Sequence, residues 1–66
     1  MMSYTMYKDE KTGETYTIEI SPDADLGFAT ICNEMNISLG WYPSRFEAKI
    51  GSMLKLMRII NDDKSK

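Results

Sequence analysis

The chain has no histidine and only one cysteine, Cys32, among its 66 residues. Without histidine there is no imidazole to act as base for a serine or cysteine nucleophile. A single thiol excludes an internal disulfide, and a single thiol without histidine does not make a structural zinc site. Cys32 lies in a strand-like stretch and reads as a small buried hydrophobe, not a reactive group. There is no phosphate-binding Walker loop and no Gly-x-Gly-x-x-Gly. Asp23, Asp25 and Glu34 match three ligand positions of a calcium loop, but Gly27 and Phe28 stand where an oxygen ligand and the turn glycine belong. The inventory predicts a non-enzymatic protein with no cofactor and no metal. No apolar run is long enough to span a bilayer. A lone thiol and the lack of a signal-peptide pattern predict a reducing cytoplasm.

What is present is one small domain's worth of chain. A domain of this length buries only roughly 60% of its unfolded surface, so a partner or a second copy is the expected supplement. The net charge of −2 conceals an uneven distribution. Residues 1–34 hold two lysines against seven acids, and residues 35–66 hold six bases against three acids. An acidic strand region therefore precedes a mildly basic helix.

Alternation predicts strands at about 2–8, 15–20, 28–32 and 37–42. Tyr16, Ile18 and Ile20 share one face of the second, and Ile37, Leu39 and Trp41 share one face of the fourth. The two faces of the third, Phe28-Thr30-Cys32 and Ala29-Ile31, cannot be ranked. Asp9 to Gly13 reads as a hairpin loop. Ser21 to Gly27 reads as a turn in which Pro22 presets one φ and Gly27 takes the positive one. Asn33 to Asn36 is a second tight turn.

Pro43-Ser44-Arg45-Phe46-Glu47 opens a helix. Ser44 can accept from the backbone N–H of Glu47, and Glu47 can reach back to Ser44. The helix is expected over about 45–60, with 61–66 as a frayed tail. Phe46, Ile50, Met53, Met57 and Ile60 fall on one stripe, with Leu54 at its edge. That stripe is expected to cover the sheet. The predicted core is Tyr16, Ile18, Ile20, Ile31, Ile37, Leu39, Trp41, Phe46, Ile50, Met53 and Met57. A second, small-residue strip of Ala48, Ser52, Leu56 and Ile59 is the expected seat of a homodimer or a partner. The fold class is α+β: a three- or four-stranded antiparallel meander with one C-terminal helix on one face.

A nucleic-acid reading would use the helix bases Arg45, Lys49, Lys55 and Arg58. Duplex affinity needs several bases against phosphates, and the strands offer only Lys8 beside many acids. Leu39-Gly40-Trp41-Tyr42-Pro43-Ser44-Arg45-Phe46-Glu47-Ala48 resembles the strand-to-helix junction of AP2-type and integrase-arm DNA-binding domains. That resemblance implies a DNA-binding regulator. Over a longer stretch, Asp23, Asp25, Gly27, Phe28, Gly40, Ser44, Glu47 and Ala48 resemble the N-terminal half of HicB-type antitoxins, which implies a small acidic protein that binds and blocks another protein. With no catalytic inventory and an acidic strand half, the expected function is inhibition or regulation of a protein partner with a basic surface, of the phage, mobile-element or antitoxin type. The expected contact residues are Asp9, Glu10, Glu14, Glu19, Asp23 and Asp25.

Overall fold

A computed structural model describes residues 2–23 and 26–64, with side chains as far as Asp62. Strands β1 (Ser3–Lys8), β2 (Thr15–Asp23), β3 (Gly27–Cys32) and β4 (Ile37–Tyr42) form one antiparallel sheet in chain order, and helix α1 (Arg45–Lys64) packs on one face of it. This is the expected α+β meander. The helix runs past the expected end at Ile60, through Lys64.

The first loop is built by Asp9, which is 5% exposed. Its carboxylate accepts from the Lys11 N–H (3.1 Å) and the Thr12 hydroxyl (3.2 Å), and its carbonyl accepts from the Gly13 N–H (2.7 Å). Between β2 and β3 the expected turn is shorter than the sequence suggests. Ser21, Pro22 and Asp23 stay in β2 and pair with Ala29, Phe28 and Gly27. β1 starts opposite Ile20, so beyond that point β2 is an edge strand, where a sheet tolerates proline. Among the described residues of this turn the positive φ falls on Leu26 (63°), not on Gly27. Gly27 is needed for a different reason: a Cβ there would fall inside the Trp41 indole.

Pairing places Ile18 opposite Cys32 and Ile20 opposite Thr30, and all four point to the helix and are buried. That settles the open question of β3. Phe28, Thr30 and Cys32 face inward, while Ile31 faces outward and is exposed. In β4 the ladder slips by one residue: Ser38 pairs with Ile31, but Gly40 pairs with Thr30, leaving Leu39 as the extra residue of a bulge. Gly40 has φ +106°, and the buried Thr30 hydroxyl donates to its carbonyl at 2.8 Å. An extra residue reverses the in–out alternation beyond it. Leu39 is therefore fully buried, whereas Trp41, expected beside it, lies on the opposite face at 49% exposed. Tyr42 takes the inward position instead.

The helix is rotated from its expected setting. Ala48, Ser52, Leu56 and Ile60 form the buried stripe, and Phe46, Ile50, Leu54 and Met57 are exposed. Three contacts hold this rotation. The Tyr42 hydroxyl donates to the Leu39 carbonyl (2.8 Å), and its ring lies so close to Gly51 that a Cβ there would overlap it. Arg45 lies over the Phe28 ring, 4.9 Å from its centroid. The same guanidinium donates to the Ser3 hydroxyl at 2.9 Å. Ser44 caps the helix as expected, with the Glu47 N–H donating to its hydroxyl at 3.2 Å, while the Glu47 carboxylate accepts from that same hydroxyl (3.3 Å) and not from the expected Ser44 N–H. Among the described residues, every buried side-chain polar atom has a hydrogen-bond partner.

Two substitutions test this packing. Glycine inside a helix costs about 1 kcal/mol relative to alanine, so Gly51→Ala would ordinarily stabilise. Here the Tyr42 ring is tethered by its hydroxyl, and Gly51→Ala is expected to destabilise by about 1–3 kcal/mol in urea unfolding. Leu26 is almost fully exposed and sits in the left-handed region. Leu26→Gly removes that strain and is expected to stabilise by about 0.5–1 kcal/mol in the same measurement.

Candidate functional site

The helix covers one side of the sheet, and the other side carries large apolar groups. Tyr4, Glu19, Ile31 and Ser38 form a row across all four strands, through the pairs Tyr4–Glu19, Glu19–Ile31 and Ile31–Ser38. Met6 lies beside Thr17 in a neighbouring row, and Trp41 lies beside Ala29 on the far side. Tyr4 is 59% exposed and Met6 56%. The row holds one charge, Glu19, whose carboxylate accepts from the Ser21 hydroxyl at 3.4 Å.

The six acids expected at a partner contact do not form one patch. Asp9 is buried in the loop it organises, so its carboxylate shapes the backbone. Glu10 and Glu14 are exposed at that same end of the sheet. Asp23 is exposed at the other end of β2, and Asp25 lies outside the described residues. Glu19 alone sits in the middle of the uncovered face. Glu34, assigned no contact role from sequence, joins this side. It accepts from the Thr17 backbone N–H at 2.6 Å and from the Thr17 hydroxyl at 2.9 Å.

The strip expected to receive a second copy is wrong as an interface. Ala48, Ser52 and Leu56 are completely buried against the sheet, and Ile59 is partly buried beside them. Small residues at Ala48 and Ser52 let the helix sit close to the strands. The four helix bases do not share a face. Lys49 and Arg58 are nine residues apart, about 180° around the helix. Arg45 is engaged with Phe28 and Ser3.

Two groups have displaced ionisation. The Tyr16 hydroxyl donates to Glu14 at 2.9 Å. That bond, with partial burial and the Glu14 charge, pushes the Tyr16 pKa up to about 12. The bond from the Thr17 N–H, with some help from the Thr17 hydroxyl, holds Glu34 below its usual carboxylate value. Among the described residues there is no cluster of three or more side chains fit to hold a metal, and no helix is long and apolar enough to cross a membrane.

Fold and surface together define a small α+β domain with one sheet face left uncovered and a helix apolar on two sides. Comparison with known protein families, curated proteins and solved structures finds no match to this chain.

The uncovered face could have been found from two signals. Period-two alternation placed Tyr4 and Met6 on one side of β1. A glycine inside a strand marks a possible bulge, and Gly40 marked the one that turns Trp41 outward.

Glu34 yields a pH prediction. Its carboxylate is more acidic folded than unfolded, so its contribution is full above the unfolded pKa and is lost as pH falls through the lowered folded value. Wild type is therefore expected to lose more thermal stability than Glu34→Gln between about pH 5 and about pH 3. Parallel acid limbs for the two proteins would show that the Thr17–Glu34 contact is absent in solution.

Proposed function

We propose that this is a non-enzymatic binding protein that inhibits or regulates a protein partner with a basic surface, and that it binds through the uncovered face of its sheet. The observation that carries this reading is the row Tyr4–Glu19–Ile31, flanked by Met6 and Trp41, exposed on the side away from the helix. Tyrosine, tryptophan and methionine are enriched at protein interfaces relative to the rest of the surface, and methionine adapts its shape to the partner. Glu19 in this row, with Glu34 held on Thr17 beside Met6, favours a lysine or arginine over an acid, because an unmatched charge would be desolvated without compensation. Glu10, Glu14 and Asp23 lie at the two ends of the same sheet and would attract a basic partner from a distance. The activity is occupancy: the domain covers the surface its partner needs.

Proteins with such basic surfaces often handle nucleic acid, and antitoxins and small phage or mobile-element inhibitors are the kind of protein this reading describes. The resemblance of Asp23, Asp25, Gly27, Phe28, Gly40, Ser44, Glu47 and Ala48 to the N-terminal half of HicB-type antitoxins points the same way.

The partner is to be identified by affinity purification from the native host with mass spectrometry, then bound in purified form. Tyr4→Ser and Glu19→Lys, each checked for native unfolding behaviour, are expected to weaken that complex at least about tenfold. The wild-type association rate is expected to fall with added salt. A complex that keeps its affinity in both variants would rule out the sheet face as the binding surface. Asp9 is not a suitable test position, because its substitution would disturb the loop.

A further inference from the structure

The helix carries a second apolar surface that the sheet does not use. Phe46, Ile50 and Leu54 follow one another at four-residue spacing and form a ridge, with exposures of 75%, 43% and 48%. Beside the ridge runs a groove of about 410 Å³ lined by Tyr42, Pro43, Phe46, Glu47, Ile50 and Gly51. A second depression continues it along Leu54 and Arg58, and the two share Tyr42 and Gly51. Ridge and groove thus lie side by side on one surface. A two-fold axis needs this arrangement, because each copy must offer both the projection and the recess.

The charges along this surface select an orientation. Glu47 stands near one end and Arg58 near the other, eleven residues further on. At about 100° per residue they lie on nearly the same flank of the helix. A two-fold axis crossing the helix near its middle runs the two helices antiparallel and keeps each flank on its own side. Glu47 of one copy then meets Arg58 of the other, twice. The axis then crosses the helix between Ser52 and Met53, so Phe46 of each copy lies level with Ile59 of the other at the far end of the groove, Leu54 lies level with Gly51, and Ile50 stays within one turn of the axis.

We propose that the protein forms a two-fold homodimer through this outer helix face, with antiparallel helices and reciprocal Glu47–Arg58 pairing. The surface is separate from the sheet face assigned to the partner above, so each dimer would present two partner-binding faces.

Sedimentation equilibrium over a concentration series tests this, with circular dichroism to check folding. The wild-type chain is expected to dimerise. Ile50→Asp, at an exposed position, is expected to keep the fold and to weaken the dimer at least about tenfold. Glu47→Lys and Arg58→Glu are each expected to weaken it, and the double variant to recover most of the loss. Tyr4→Ser is expected to leave it intact. A wild-type monomer throughout, or a dimer insensitive to Ile50→Asp, overturns the proposal. So does a dimer broken by Tyr4→Ser instead, or a double reversal that recovers nothing.

Discussion

The Thr30 hydroxyl donates to the Gly40 carbonyl at 2.8 Å in the middle of the core, and the placement of the aromatic groups follows from that bulge. A regular β4 would put Leu39 and Trp41 on one face and Gly40 and Tyr42 on the other. With one extra residue at Leu39, both Leu39 and Tyr42 face inward and Trp41 faces outward. Gly40 makes this possible because its positive φ is open to glycine without strain. The Thr30 hydroxyl, buried at this point, finds its acceptor in the Gly40 carbonyl.

From Tyr42 the constraint passes to the helix. The ring is tied by its hydroxyl to the Leu39 carbonyl and lies against Gly51. At the helix start, Arg45 bridges Phe28 of β3 and Ser3 of β1. These contacts near the first turns set the rotation. The small side chains Ala48 and Ser52 then face the sheet, and the bulky Phe46 and Ile50 face away. A helix apolar on two sides can seat on either one. Here the narrower side seats because Ile18, Ile20 and Leu39 already fill the space beneath it.

The same two decisions produce both candidate surfaces. The bulge adds Trp41 to the uncovered sheet face beside Tyr4, Met6 and Ile31. The helix rotation exposes Phe46, Ile50 and Leu54. The acids take three roles that composition cannot separate. Asp9 builds a loop, Glu34 caps the Thr17 N–H, and Glu19 sits in the uncovered apolar row.

Local pattern alone determined the four strands, their order as a meander, the helix start at Ser44 and the α+β class. Each rests on neighbouring residues: alternation, short polar loops and a capping serine. The inward faces of β2 and of Ile37 and Leu39 were legible for the same reason. The rest was set by contacts between residues far apart in the chain. The inward face of β3 depends on register with β2, which no single strand reveals. The outward turn of Trp41 depends on one unpaired residue opposite Thr30. The setting of the helix was not legible because its periodicity offers two apolar stripes. The choice between them is made by Tyr42, Phe28 and Ser3, residues the helix meets only when the chain has folded.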